Sequence, residues 1–284
     1  IKPLHDLPEH LCFDEFKSVK SSDSNMSFII CDSTTHKLVD VVRDRKSYSL
    51  KKYFHRFEPK TRLKVKTISI DMYLPYIQLI KEMFPNAKII IDPFHIVQAL
   101  NRELNRTRVR VMNKHRYKDS KLYRKLKHYW KLILKNPNEL QNYKYNRYKL
   151  FESFITSKGI VDYILEKNPS LKNDYEVVHS LRECIQDRDY IEFKETIEAA
   201  TQLDLSPGLK RVLKTLMTYL PYIQNTCEYP TRTNGPIEGI NNKIKVLKRN
   251  AYGFRNYYHF RNRIILITKM FGPKQKGIKQ QLVA

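Results

Sequence analysis

The chain has 284 residues and carries 53 Lys and Arg against 29 Asp and Glu, a formal net charge of +24. A hydrophobic share of 41% and an aromatic share of 12% exclude a disordered chain and allow one large domain or two small ones. So large a positive surplus repels itself in a compact fold and points to a polyanionic partner, of which nucleic acid is the commonest.

AT-rich codon usage is a second source for some of the lysines. The four cysteines, Cys12, Cys31, Cys184 and Cys227, form no Cys-x-x-Cys pair, which argues against a zinc ribbon, and they imply no disulfide framework. No apolar run reaches the length of a membrane span and no signal peptide is visible, and with no disulfide framework a reducing cytoplasm is expected. The chain begins at Ile1, and an N-terminal part of a longer protein is expected before it.

In chain order, residues 10–19 and 26–32 are short apolar runs between polar clusters and read as strands. The polar segment Ser21–Asn25 between them reads as a hairpin loop. Residues 37–43 give a third strand, and 46–57 carry Tyr48, Leu50, Tyr53, Phe54 and Phe57 near helical spacing. Residues 64–71 alternate and end at Asp71; 73–84 suit a helix, and 87–92 a short buried strand ending at Asp92.

From there the pattern is helical: 94–116, 118–134, 138–156, 159–167, 171–186, 189–201, 207–225, 236–249 and 255–271. Three strands, helix, strand, helix, strand and then helices is the order of a ribonuclease-H-like α/β core with a mixed sheet. Its last helix is delayed by a long all-helical insertion. The expected division is 1–116 for the first part of the core, 117–230 for the insertion, and 231–284 for the helices that complete the core.

Phosphoryl transfer on DNA needs an activated water or 3′-hydroxyl and a stabilised leaving oxygen. Two divalent cations held by a few carboxylates supply both. Asp71 closes the fourth strand, and Asp14 lies within the first. By pattern alone Asp71 reads more readily as the N-cap of the following helix than as a ligand. Glu238 stands in Asn234-Gly-Pro-Ile-Glu-Gly-Ile-Asn-Asn-Lys-Ile-Lys, where Asn234 can cap and Pro236 suits a first turn. Glu238, Asn242, Lys245 and Arg249 follow at helical steps and form a polar stripe suited to metal beside DNA phosphate. An acid placed for the helix dipole explains Glu238 as well.

Four stretches now resemble a known family. They are Leu11-Cys-Phe-Asp-Glu-Phe with the strand to Asp32 and Val39–Arg45; Ser69-Ile-Asp-Met-Tyr-Leu-Pro-Tyr; Phe84–Ala87 through Asp92-Pro-Phe-His-Ile-Val; and Asn234–Lys245 continuing to Asn256. The chain resembles the ISL-type DDE transposases of bacterial insertion sequences, relatives of the Mutator-like transposases. The resemblance implies a catalytic and metal-holding triad at Asp14, Asp71 and Glu238 with magnesium, two ions, as cofactor. It implies DNA cleavage and strand transfer, insertion-sequence ends and target DNA as partners, and a homo-oligomer on the DNA. It also implies an acid-x-x-His element at Asp92 and His95. Pro93 stands where the family usually has Arg, and Cys12-Phe13 where it usually has Gly-Ile.

Asp92 remains the alternative second ligand, and Asp32 a lesser rival of Asp14. His95 reads as a group that orients Asp71 or touches phosphate, or as a core histidine. Arg102, Arg106, Arg110 and Lys114 repeat every four residues, as a solvated face or a DNA-backbone track. Trp130 reads as a core residue or as a ring against a flipped base. A decayed or truncated transposase that only binds DNA is the alternative function, and a junction resolvase on the same fold a further one.

Overall fold

The computed structural model describes residues 5–22 and 24–270. They divide into two compact units, one of residues up to Asp92 with those from Tyr229 onward, the other Pro93–Glu228.

The first unit contains strands β1 (His10–Lys17), β2 (Met26–Asp32) and β3 (Leu38–Val42), helices α1 (Ser47–Phe54) and α2 (Pro59–Leu63), strand β4 (Thr67–Ile70), helix α3 (Leu74–Met83) and strand β5 (Lys88–Ile91). All five strands join one sheet in the order β3-β2-β1-β4-β5. β1 and β2 are antiparallel, as are β2 and β3, while β1 with β4 and β4 with β5 are parallel. The expected order of strands and helices is therefore present, with the short α2 added.

Alternation along β1 serves two cores. Leu11 and Phe13 point to one face, where Phe13 packs with Phe28, Phe54 and Phe84 at ring distances of 5.0–6.1 Å. Cys12 and Phe16 point to the other. There they join Ile29, Cys31 and Val41 beneath Ile237, Ile240, Ile244, Tyr257, Phe260 and Ile264. Those last six residues belong to the two helices that return to the sheet from the end of the chain, numbered below as α11 and α12.

The second unit holds α4 (Pro93–Lys114), α5 (Ser120–His128), α6 (Trp130–Leu134), α7 (Ser157–Glu166), α8 (Pro169–Asp187), α9 (Tyr190–Ala200) and α10 (Pro207–Glu228). α11 (Gly235–Asn250) and α12 (Tyr257–Met270) belong to the first unit. α4 packs on α8 and α10, so residues 93–116 sit with the helical unit rather than with the sheet, and the boundary falls at Asp92. A buried network joins these helices. Thr107 Oγ1 donates to Asp174 Oδ2 at 2.7 Å, and the Ser206 amide donates to Asp174 Oδ1 at 2.9 Å.

Two helical expectations fail. Residues 118–134 break at Tyr129 into two helices. Residues 138–156 form a 3-10 turn, Pro137–Glu139, and then an irregular loop closed by a bridge between Asn146 and Ile155. All four cysteines are free. Among the described residues no helix is long and apolar enough to cross a membrane.

Candidate active site

Three aspartates gather at one region of the sheet for reasons of register. β1 and β4 pair Cys12 with Ser69, and side chains level with each other on parallel neighbours share a face. Asp14 and Asp71 each lie two residues further on, so both project to the face covered by α11. β4 and β5 pair Ile70 with Ile91, and the Asp92 amide donates to the Ile70 carbonyl at 2.9 Å. Asp92 is therefore level with Asp71, and their carboxylate oxygens approach within 4.8 Å. Asp92 is buried, while Asp71 and Asp14 are half-buried.

α11 locks onto two of these acids. Asn234 Nδ2 donates to Asp71 Oδ1 at 3.1 Å and to the Phe13 carbonyl at 3.2 Å. Asn241 Nδ2 donates to Asp14 Oδ2 at 2.7 Å, and Asp14 Oδ1 accepts from the Glu15 amide, also at 2.7 Å. Glu238 lies between the two asparagines at helical steps of four and three, so all three start on one face of α11. It is exposed and sits in the first turn. The Oδ1 atoms of Asn234 and Asn241 are buried and have no hydrogen-bond partner among the described residues.

Several sequence readings change here. Asn234 occupies the N-cap position, but its side chain makes no cap bond and serves Asp71 instead. Asp71 does not cap α3, whose N-cap is Tyr73. The polar face of α11 that meets the acids passes through Asn241, while Asn242 is exposed. Lys248, not picked out by sequence, donates from the same face to the Lys17 and Ser18 carbonyls at 2.8 and 3.0 Å. Lys245 and Arg249 are exposed.

Asp32 pairs opposite Leu11, away from Asp14, and its carboxylate accepts from Thr34 and Thr35 in the β2–β3 turn. Glu15, next to Asp14 but on the opposite face, binds Arg45 and Tyr76. Burial pushes the Cys12 thiol up to about 12, with the Asp92 charge adding to it, which leaves Cys12 a packing residue.

His95 stands in the first turn of α4, in the helical unit, three residues after Asp92. Arg102, Arg106 and Arg110 are exposed along α4. Arg106 and Arg110 lie 3.2 and 3.9 Å from the buried carboxylate of Glu103, so part of that stripe compensates a buried charge. Trp130 is 40% exposed and so is not a core residue.

A mixed sheet with aspartates at the ends of neighbouring strands, and a helix carrying a further acid over them, defines an α/β protein able to hold divalent cations on carboxylate oxygen. The model of a transposase family, the ISL3-type DDE transposases, matches residues 11–264, and the chain belongs to that family. A transposase for insertion sequence element IS1001 from Bordetella parapertussis is 28% identical over 257 residues, 89% of this chain and 59% of that protein. A protein described as an ATP-dependent protease, from Lactococcus lactis subsp. lactis, is 36% identical over 130 residues, 46% of this chain and 40% of that protein. The chain thus spans about half the length of these curated relatives. No solved structure matches it.

Proposed function

We propose that the chain is the catalytic region of an insertion-sequence transposase, which cleaves DNA at element ends and joins the freed 3′-hydroxyl to target DNA. The observation that carries this reading is the seating of α11. Asn234 and Asn241 bind Asp71 and Asp14, and Glu238 stands between them on the same helical face. That seating supports reading Asp14, Asp71 and Glu238 as one site. The strand order, with only β2 running against the others, supports a ribonuclease-H-like core interrupted by the helical unit.

The residues present fit a hard divalent cation such as magnesium. The donors are carboxylate oxygens, and two buried amide oxygens beside them lack partners that a hydrated ion would provide. Asp14, Asp71 and Glu238 would hold the metal, two ions by family resemblance, with Asp92 as the alternative or additional ligand. A bound ion supplies an activated water or 3′-hydroxyl and stabilises the leaving oxygen. The chain's own work is positional. Asn234 and Asn241 fix two carboxylates, the buried hydrophobic cluster under α11 holds that helix to the sheet, and exposed Glu238 reaches the substrate side. His95 would act near Asp92, on a phosphate or as an orienting group.

Lys245, one turn beyond Asn241, and Arg249 would contact phosphates beside the site, with Arg102, Arg106 and Arg110 as a second track. Transposition joins two element ends, which calls for more than one copy of the chain on the DNA.

The test is cleavage and strand transfer by the full-length protein on element-end DNA with magnesium. Glu238→Gln should abolish both while DNA binding persists. Unchanged activity in that variant would remove Glu238 from the site.

A further inference from the structure

The irregular loop that follows the 3-10 turn is anchored firmly and yet turns aromatic rings outward. Its start is tied by the Gln141 amide donating to Ser157 Oγ at 2.8 Å and the Lys158 amide donating to the Gln141 carbonyl at 3.1 Å. Asn146 and Ile155 exchange both backbone hydrogen bonds at 3.1 Å. The Tyr129 hydroxyl donates to the Lys149 carbonyl, and the rings of Tyr148 and Phe151 pack on Tyr129. Lys125 Nζ lies 4.2 Å from the Phe151 ring centroid.

With the backbone held in this way, three other rings stay in solvent: Tyr143 at 77% exposure, Tyr145 at 65% and Phe154 at 68%. Aromatic rings clustered in solvent on an ordered loop are a feature that binding surfaces use. Lys144, Arg147 and Lys149 alternate with the aromatics and are exposed. No carboxylate lies within ion-pair distance of these three among the described residues. The loop itself contributes one acid, Glu152.

We propose that this loop binds single-stranded DNA, with Tyr143, Tyr145 and Phe154 stacking on unpaired bases and Lys144, Arg147 and Lys149 on the phosphates between them. The inference rests on the DNA-acting function above and adds a strand-specific contact to it. In a duplex each base face is covered by its neighbour, so exposed rings gain nothing from an intact double helix. A patch meant only for duplex phosphate needs no rings at all. Aromatic platforms interleaved with bases of positive charge are the pattern that serves an unpaired strand.

The experiment measures binding of the full chain to a fluorescein-labelled oligothymidylate of about 20 nucleotides, and to a duplex of the same length, by anisotropy in the absence of divalent metal. Stacking of one base on one ring contributes roughly 5- to 150-fold in affinity. The variant carrying Tyr143→Ala, Tyr145→Ala and Phe154→Ala should lose at least about tenfold on the single strand and less than about threefold on the duplex. A second variant with Phe at 143 and 145 should keep single-strand affinity, since the ring and not the hydroxyl stacks. Lys144→Gln, Arg147→Gln and Lys149→Gln together should reduce the single-strand salt slope by about two, at roughly 0.7 per phosphate contact. Circular dichroism and a thermal melt check that each variant folds. Wild-type affinity in the alanine variant, or equal losses on both DNAs, overturns the proposal. Because the assay needs neither metal nor cleavage, that failure would leave the assignment of Asp14, Asp71 and Glu238 untouched.

Discussion

Asn241 donates to the Asp14 carboxylate at 2.7 Å across 227 residues of chain, and Asn234 does the same for Asp71 at 3.1 Å across 163. Each bond fixes an acid through a side chain that holds no charge of its own. Outer-sphere partners of this kind typically contribute 10- to 100-fold to metal affinity or activity. Asn241→Ala and Asn234→Ala should therefore each lower cleavage by about that factor. The magnesium concentration for half-maximal activity should rise more than the KM for DNA. Asn241→Asp should be worse than Asn241→Ala, because it sets a second negative charge against Asp14 and removes the donor. An unchanged magnesium requirement in both alanine variants would show that the asparagines only hold the fold.

A chelator should abolish cleavage reversibly, and magnesium should raise the melting temperature of the wild type, since a ligand that binds only the native state stabilises it. The same titration separates Asp71 from Asp92, whose carboxylates lie within 4.8 Å of each other. Asp71→Asn should lose both the magnesium-induced shift and cleavage. Retention of both in Asp71→Asn, with their loss in Asp92→Asn, would transfer the second ligand to Asp92.

What was legible in the sequence was what period and local chemistry encode. The alternation of 64–71 marked β4 and left Asp71 at its end, and the apolar spacing of Ile237, Ile240 and Ile244 marked the buried face of α11. The stretch 138–156 misled because Tyr, Asn and Lys dominate it and no aliphatic stripe recurs every three or four residues. There Leu150 takes a left-handed backbone, φ 71°, which a continuous helix does not allow. The roles of Asn234 and Asn241 were hidden for another reason. An Asn at a helix start reads as a cap, and nothing local reveals a partner on a strand at the other end of the chain. The boundary at Asp92 was missed because α4 follows β5 without a break, and only its packing on α8 and α10 assigns it to the helical unit.

Gly208 is required by Glu103. A Cβ at position 208 would lie 1.7 Å from Glu103 Oε1 and 2.3 Å from its Cδ. Glu103 is 4% exposed, and Arg106 and Arg110 approach the same carboxylate. Gly208→Ala must push the carboxylate away from these partners, at a cost of roughly 1–3 kcal/mol in unfolding free energy. Urea denaturation reads this directly. Glu103→Ala should be destabilising alone but should make the added Gly208→Ala nearly neutral, since the methyl then has space. Additive losses in the double variant would refute the steric coupling.

His179 makes the helical unit sensitive to acid. It is 7% exposed; its Nε2 lies 3.0 Å from the Ile133 carbonyl and its Nδ1 lies 3.1 Å from Arg182 NH1. The guanidinium can only donate, so Nδ1 must be the unprotonated nitrogen and Nε2 carries the hydrogen. Burial pushes the imidazole down to about 4, and the Arg182 charge acts in the same direction against the Ile133 carbonyl, which raises it. In the unfolded chain the ring titrates near 6.5, so between these values the unfolded state binds more protons. The stabilisation is complete above about pH 6.5 and is lost as pH falls towards 4, with about 3 kcal/mol as an upper bound. The urea midpoint of the wild type should fall steadily from pH 7 to pH 4.5. In His179→Gln, Nε2 can still donate to Ile133 and Oε1 can accept from Arg182 without titrating, so the fall across that range should be visibly shallower. An equally steep fall in the variant would place the acid sensitivity in the carboxylates instead.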